Sequence, residues 1–184
     1  MPIGSFTAIP YVAQRLALKQ PQRVLDVGIG FGMYGAVVRQ WVDEGVQPWR
    51  TFLVGVEAWP HYRNPVWDLY NVISVGPVEH YLQQRHEHFD CIILGDIIEH
   101  FPKDEGQALL ERLKPLVAPQ GLLLVITPVG FHQQAAAHGN PYECHRSSWS
   151  AQDLEAFGFE LMLNGTEPQV ASVPTLVGNW TNRS

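Results

Sequence analysis

The feature that most constrains this chain is a glycine-rich turn between a strand-like run and a helix-like stretch. The run Arg23–Val27 has the length and apolar content of a buried strand, and Gly28-Ile29-Gly30-Phe31-Gly32 follows it directly. Apolar residues then recur at helical spacing, at Met33, Ala36, Val37 and Trp41. In such a turn a ligand can touch the backbone because no Cβ intervenes, and the helix N-terminus offers free N–H groups to it. The pattern predicts a strand–turn–helix unit with a ligand at its turn.

Apolar runs and helical stretches continue to alternate along the chain. Further strands are predicted at Phe52–Val56, Asn71–Val75, Phe89–Leu94, Leu122–Ile126, Phe159–Leu163 and about Val170–Val177. Helical periods cover Ile9–Leu18 and Asp104–Val117, and Ser150 with Asp153 predicts a capping box at the start of a short helix that Gly158 closes. This alternation predicts an α/β fold with a doubly wound, mostly parallel sheet and helices on both faces.

The composition is compatible with one domain over residues 1–184. With 46% hydrophobic residues in 184, the chain can cover both faces of one sheet. Its apolar stretches are too short to span a bilayer, and Met1–Pro10 lacks the basic start of a secretion signal. The two cysteines, Cys91 and Cys144, form no disulfide pattern. We therefore expect a cytoplasmic protein without a membrane segment.

Charge and histidine spacing bear on nucleic acids and metals. The formal charge of −6, without a Lys/Arg cluster, predicts no binding to bulk nucleic acid. Four residues that zinc can use lie close in sequence, at His132, His138, Cys144 and His145, but their spacing lacks a paired-ligand signature. The sequence therefore predicts no metal site. The group His80, His86 and His88 is interpreted as a solvated polar face.

The glycine spacing separates two classes of nucleotide cofactor. Dinucleotide-binding turns follow G-x-G-x-x-G/A, whereas position 33 here is methionine and the order is Asp26-x-Gly28-x-Gly30-x-Gly32. This disfavours a nicotinamide cofactor. The run Val24–Gly32 closely resembles the first motif of class I S-adenosylmethionine-dependent methyltransferases.

The resemblance extends from about Arg23 to Phe159. Within the family, the chain is similar to a bacterial subgroup whose substrates are mostly unassigned. The resemblance rests on Gly55-Val56-Glu57, Asp96-Ile97-Ile98-Glu99-His100-Phe101, Lys103-Asp104-Glu105-Gly106, Asn140-Pro141-Tyr142-Glu143, His145-Arg146-Ser147 and Trp149. It implies a Rossmann-like, seven-stranded sheet whose last strand is antiparallel, and S-adenosylmethionine as cofactor.

The resemblance also assigns cofactor contacts. It places the turn backbone against the methionine part of the cofactor, and it assigns Glu57 to the two ribose hydroxyls, a task that suits a carboxylate. Asp96 is expected to touch cofactor or acceptor. The cofactor-binding residues implied are Asp26, Gly28, Gly30, Gly32, Glu57, Val78 and Asp96.

One position departs from the family pattern. Many members carry an acidic residue for the adenine amino group where this chain has Pro77, which offers neither a side-chain acceptor nor a backbone N–H. Adenine would then contact the backbone of Val78, Glu79 in a shifted register, or apolar groups. Pro77 keeps a non-catalytic S-adenosylmethionine- or S-adenosylhomocysteine-binding protein open as an alternative, with an NAD-dependent enzyme the less favoured one.

On the acceptor side, methyl transfer requires alignment of the acceptor and, for a hydroxyl or protonated amine, removal of a proton. Asp96 and His100 follow the fourth strand, at the sheet edge where open α/β folds bind ligands. Residues 131–149 have no regular period and are interpreted as a substrate loop or lid. Within it, the resemblance marks His145 as the best candidate for a general base. The expected acceptor is an oxygen or nitrogen of a small molecule or sugar, with a lipid head group or a protein side chain left open; the oligomeric state is not indicated.

Overall fold

The computed structural model describes residues 5–84, 87–137, 139–165 and 173–184. His86 and His138 lie outside these residues, as does the start of the strand predicted at 170–177. Seven strands form one sheet in the order β3-β2-β1-β4-β5-β7-β6, with β7 antiparallel to β5 and β6 and the pairs among β1 to β5 parallel. The strands are β1 Arg23–Val27, β2 Phe52–Glu57, β3 Val72–Val75, β4 Phe89–Gly95, β5 Val117–Pro128, β6 Glu160–Gly165 and β7 Thr175–Thr181. The helices are α1 Ile9–Lys19, α2 Met33–Trp41, α3 Val78–Gln84, α4 Lys103–Leu113 and α5 Ala151–Ala156.

Helices cover both faces of the sheet, as the alternating pattern predicts. On one face, Val12 and Leu16 of α1 and Val38 of α2 pack against the central strands. On the other, Leu110 of α4 and Leu154 of α5 belong to a second cluster with alternate residues of the same strands. Among the described residues, no helix is long and apolar enough to cross a membrane. The predicted fold class, including the antiparallel last strand, is confirmed.

The last strand lies later in the chain than the apolar run indicates. It spans Thr175–Thr181 rather than 170–177. Its second half begins with Gly178 and the buried Asn179, which interrupt the apolar run. Gly178 is required by packing, because a Cβ there would lie 3.2 Å from side-chain atoms of Leu154 and Phe159. A strand that needs a glycine for packing does not show as an apolar run.

The site-forming turns are brought together by the register of the two central strands. Val27 at the end of β1 pairs with Leu94 near the end of β4, and the strand order reverses between these two strands. Ligands of open α/β sheets bind at such a reversal, outside the carboxyl ends of the strands. The glycine turn after β1 and the segment that begins at Asp96 after β4 are therefore neighbours.

The predicted capping box at α5 is present and supports a stability prediction. Ser150 N and Oγ both donate to Asp153 Oδ2 at 2.7 Å, and Asp153 N donates to Ser150 Oγ at 3.2 Å. We expect Ser150→Ala to lower the free energy of unfolding by about 1 kcal/mol, because the first helical turn loses its acceptor. Urea denaturation measures this, with the exposed Ser148→Ala as control. An equal loss in both variants would contradict the role of the cap.

Candidate active site

A crevice opens where the turns after β1, β2 and β4 meet, with about 780 Å³ of empty space that includes its open mouth. The crevice is lined by Val27, Gly28, Ile29, Gly30, Met33, Tyr34, Val56, Glu57, Ala58, Tyr62, Gly76, Val78, Gly95, Asp96, Ile97, His100, Phe101, Asn140, Tyr142 and Glu143. Of the predicted site residues, it brings together Gly28, Gly30, Glu57, Val78, Asp96 and His100.

Glu57 ends β2 with its carboxylate held directly against the glycine turn. Oε2 accepts a hydrogen bond from Gly30 N and Oε1 accepts one from Trp59 N, both at 2.8 Å. Burial raises the pKa of Glu57, and these two backbone donors oppose that rise. Each carboxylate oxygen keeps further acceptor capacity toward the crevice. The carboxylate is thus fixed beside the glycine turn, where it can accept further hydrogen bonds from a ligand in the crevice.

Each glycine of the turn is explained by a different local contact. Gly28 has φ +75°, and a Cβ there would lie 1.9 Å from Cδ1 of Ile97 on the neighbouring turn. Gly32 has φ +92° at the N-cap of α2, where a Cβ would lie 2.8 Å from Val66 Cγ1. Trp67, fully buried, donates from its indole Nε1 to Gly30 O at 2.8 Å. Gly28 and Gly30 line the crevice, whereas Gly32 lies behind it and is required by the packing.

Asp26 also lies behind the crevice wall. Its side chain is buried, and Oδ2 accepts a hydrogen bond of 2.6 Å from the hydroxyl of Tyr70. The same hydroxyl accepts from Gly35 N of α2 at 3.1 Å. Burial raises the pKa of Asp26 to about 7, with the Tyr70 hydrogen bond opposing and Glu57 adding to the rise. Asp26 therefore contacts α2, the helix after the turn, through Tyr70. Its side chain does not line the crevice, so the predicted direct contact with a cofactor does not follow from its position.

The side of the crevice formed after β3 is apolar. Gly76 and the buried Val78 line it, whereas Pro77 and Glu79 do not. Gly76 N donates to Glu57 O at 2.8 Å, which ties this turn to the end of β2. Of the alternatives weighed for an adenine contact, this arrangement favours Val78 over Glu79.

Asp96 stands at the end of β4 in a backbone conformation unusual for a residue with a side chain, with φ +54°. Its Oδ2 accepts from Ser5 N at 2.6 Å and its Oδ1 from Ser5 Oγ at 2.5 Å. Burial raises the pKa of Asp96, and the Ser5 hydrogen bonds oppose the rise. Strained residues of this kind persist where the surrounding structure holds them, commonly at functional sites. Asp96 lines the crevice and also a second cavity on its other side.

The second cavity is larger, with about 1640 Å³ of empty space that includes its open mouth. It lies beyond Asp96 and is bounded by residues 5–7, 128, 132–134 and 173–175 together with Glu99 and His145. Asp96 is the wall shared with the crevice. His145 therefore faces this second cavity, while His100 faces the crevice.

The end of the predicted loop, residues 145–149, is pinned to the turn after β4. Arg146 N and Ser147 N both donate to Glu99 O, at 2.8 and 3.1 Å. Trp149 is buried at 1% exposure, and its Nε1 donates to Ser147 Oγ at 3.0 Å. These contacts hold Arg146 and Ser147 against the turn after β4. They set His145 beside His100, with ring centroids 4.8 Å apart.

Both histidines present a ring nitrogen without a proton. Nδ1 of His145 lies 2.6 Å from the carbonyl oxygen of His132, and Nδ1 of His100 lies 3.3 Å from that of Cys144. A carbonyl oxygen only accepts, so Nδ1 carries the hydrogen in both rings. Burial lowers the pKa of His100 to about 4 and lowers that of His145 as well. The rings are neutral near pH 7, and their Nε2 atoms carry lone pairs.

Two tyrosines of the site were missed by sequence reasoning. Tyr62 donates from its hydroxyl to Glu143 Oε1 at 2.9 Å and accepts from Asn140 Nδ2 at 3.1 Å, which closes one end of the crevice. Tyr34 lines the crevice with a buried hydroxyl that has no hydrogen-bond partner among the described residues. Tyr34 lies on the first turn of α2, directly after the glycines. This position is the sequence feature that could have identified it as a residue of the site.

Comparisons with known proteins identify the family of this chain. A family model described as a methyltransferase domain matches residues 7–162. No curated protein matched the sequence closely enough to count as a relative.

Solved structures give the same fold at low identity. The 1,6-didemethyltoxoflavin-N1-methyltransferase of Burkholderia thailandensis, solved with 1,6-didemethyltoxoflavin and S-adenosylhomocysteine, is 18% identical with a TM-score of 0.67, covering 96% of this chain and 79% of that one. The N-methyltransferase NodS of Bradyrhizobium japonicum is 14% identical with a TM-score of 0.60, covering 94% and 93%. An O-methyltransferase family protein of Burkholderia thailandensis is 14% identical with a TM-score of 0.61, covering 92% of this chain but only 54% of its own.

The chain belongs to the methyltransferase-domain family, because the family model covers most of its length. It is a class I S-adenosylmethionine-dependent methyltransferase, as the first motif indicates. The glycine turn, the fixed carboxylate of Glu57 and the open crevice between them fit an adenosyl sulfonium.

Proposed function

We propose that this enzyme transfers a methyl group from S-adenosylmethionine to an oxygen or nitrogen of a small molecule or sugar. One observation carries the proposal: the crevice beside Glu57 and the larger cavity beside His145 meet at Asp96. A methyltransferase needs two ligands next to each other, and Asp96 lines both cavities, so ligands in them would lie on either side of one residue. Similar solved structures include O- and N-methyltransferases, so both acceptor atoms are retained.

In this proposal the crevice holds the donor. Glu57 accepts hydrogen bonds from the ribose hydroxyls, the backbone of Gly28 and Gly30 supports the amino-acid portion, and Val78 packs against adenine. The donor supplies a methyl group bound to a positively charged sulfur. The chain contributes alignment and exclusion of water, which account for much of the rate enhancement in such a displacement. Tyr62 and Glu143, joined by a hydrogen bond, form part of the crevice lining.

The larger cavity receives the acceptor. Asp96, His100 and His145 stand between the two cavities, and the lone pairs on the neutral imidazoles are the groups able to assist an acceptor that must lose a proton. Asp96, held by Ser5, keeps a negative wall next to the sulfonium.

We also place the enzyme in the cytoplasm, where the free thiols of Cys91 and Cys144 would persist.

Ligand-dependent thermal stability tests the donor assignment. At 100 times its dissociation constant, a ligand that binds only the folded state stabilises by about 2.7 kcal/mol. We expect S-adenosylmethionine and S-adenosylhomocysteine to raise the melting temperature and NAD to leave it unchanged. Release of S-adenosylhomocysteine in the presence of pooled small molecules and sugars then reports turnover. Stabilisation by NAD alone would overturn the proposal.

A further inference from the structure

Three side chains between the two cavities form a cluster with the chemistry of a metal site. One ligand atom each from Glu99, His100 and His145 lies within 4.8 Å of the others. Glu99 and His100 follow β4, whereas His145 comes from the pinned segment beyond β5. Their convergence depends on the hydrogen bonds from Arg146 N and Ser147 N to Glu99 O.

The carboxylate of Glu99 is the first indication that the cluster is built for a ligand. Its side chain is only 2% exposed. Oε2 accepts from Thr127 Oγ1 at 3.0 Å, whereas Oε1 is buried without any partner among the described residues. Leaving such an acceptor unsatisfied destabilises the folded state, and more so when the group is charged. A cation bound at Oε1 would remove that destabilisation.

The hydrogen bonds of the two histidines are the second indication. In both rings Nδ1 faces a backbone carbonyl, of His132 and of Cys144, which leaves Nε2 as the free nitrogen. Histidines that bind metals characteristically donate their other N–H to a carbonyl or carboxylate, which fixes the tautomer and the ring orientation. Thr127 orients the carboxylate of Glu99 in the same way, because its hydroxyl donates a hydrogen bond to Oε2.

The distances allow an ion with little rearrangement. Three atoms no farther than 4.8 Å apart fit within a circle of roughly 2.8 Å radius, and zinc bonds to nitrogen and oxygen are about 2.0–2.2 Å long. Each ligand would then move by less than about 1 Å. The donor set of two imidazoles and one carboxylate suits Zn²⁺ and neighbouring divalent transition metals better than Mg²⁺ or Ca²⁺, which prefer oxygen ligands.

We propose that Glu99, His100 and His145 bind one divalent transition-metal ion, whose open coordination positions face the larger cavity and take the acceptor oxygen. This rests on the proposed function for the identity of the acceptor, and it selects a hydroxyl-bearing one. Sequence spacing predicted no metal because the set weighed there, His132, His138, Cys144 and His145, is local along the chain. The structure joins His145 to Glu99 and His100 instead, and His138 lies outside the described residues.

The ion would act on the acceptor as a Lewis acid. A hydroxyl bound to it loses its proton to water in the open cavity, and the resulting oxyanion attacks the methyl carbon of the sulfonium. The new C–O bond forms as the C–S bond breaks, and its electron pair stays on sulfur, giving the neutral thioether. Because Nε2 of His100 and His145 binds the ion in this state, the ion replaces the lone pairs of the free imidazoles in assisting the loss of the proton.

Binding of Zn²⁺ and Co²⁺ to chelator-treated protein tests the site directly by calorimetry and, for Co²⁺, by its visible absorption. We expect one ion per chain, with affinity reduced by at least about 100-fold in Glu99→Gln and His145→Ala. His88→Ala, at the opposite end of β4, serves as the matched histidine control and is expected to bind like the unmodified protein. Melting temperatures with S-adenosylhomocysteine check that each variant is folded and retains the crevice.

The outcomes separate this proposal from the assignment of the donor. If chelator-treated protein binds S-adenosylhomocysteine but neither metal, or if Glu99→Gln and His145→Ala bind metal unchanged, the metal site is wrong and the donor assignment stands. If the metal binds at the cluster but S-adenosylhomocysteine does not bind, the donor assignment fails alone. With a hydroxyl acceptor, turnover should disappear with chelator and return with added metal at unchanged donor affinity.

Discussion

Replacing Glu57 by alanine is expected to weaken binding of S-adenosylhomocysteine by about 100-fold. Two ribose hydroxyls would lose a charged acceptor, and hydrogen bonds to charged groups contribute about 1.5–3 kcal/mol each. A loss near 3 kcal/mol corresponds to roughly two orders of magnitude in the dissociation constant. The substitution also frees Gly30 N and Trp59 N, which Glu57 now holds in place at the turn. Titration calorimetry measures the change.

Glu79→Ala is the matched control for this substitution. Glu79 is a carboxylate at the start of α3, next to the crevice residue Val78 but not part of the lining. We expect its removal to leave affinity within about a factor of two of the original, because Glu79 does not line the crevice and substitutions away from a site usually change free energies little. Glu57→Gln, which keeps the shape and loses the charge, should fall between the two. Equal affinity in Glu57→Ala and the unmodified enzyme would reject the role of this carboxylate.

The strand–turn–helix unit could be predicted from the sequence because local pattern and tertiary packing agree there. β1 and α2 have the bounds that their apolar periods indicate, Arg23–Val27 and Met33–Trp41. The carboxylate at the end of β2 was also predictable, since the parallel register brings Val56 beside Val27. Local pattern and tertiary packing disagree at β7. There Gly178 allows close packing between the sheet and α5, and the buried Asn179 interrupts the apolar run, so the strand is not visible in the sequence.

The acceptor side was only partly predictable for a different reason. Asp96, His100 and His145 could be selected as reactive residues, but their grouping with Glu99 depends on backbone hydrogen bonds from a segment without regular structure. Such bonds leave no period in the sequence. The same holds for Ser5, whose contacts with Asp96 join distant parts of the chain. Residue type indicated the chemistry, and only the three-dimensional contacts showed which groups can act together.

Gly28→Ala is expected to lower the free energy of unfolding by about 3 kcal/mol and to weaken donor binding at least about tenfold. The added methyl would lie 1.9 Å from Cδ1 of Ile97, and Gly28 has φ +75°, a conformation that costs an L-residue about 1–2 kcal/mol. Displacing Ile97 also disturbs the crevice wall, because both residues line it. Urea denaturation and titration with S-adenosylhomocysteine measure the two effects.

Two further variants separate the steric from the backbone part of this cost. Gly45→Ala places a methyl group at φ +66° with no atom within 4 Å, so it should show only the backbone cost of about 1 kcal/mol. In an Ile97→Ala background the methyl of Gly28→Ala no longer meets Cδ1, and the cost of the substitution should fall toward that of Gly45→Ala. The double-mutant cycle would then give a coupling of about 2 kcal/mol. Additive effects would mean that the two turns do not touch in solution. The crevice wall formed by Gly28 and Ile97 would then have to be abandoned.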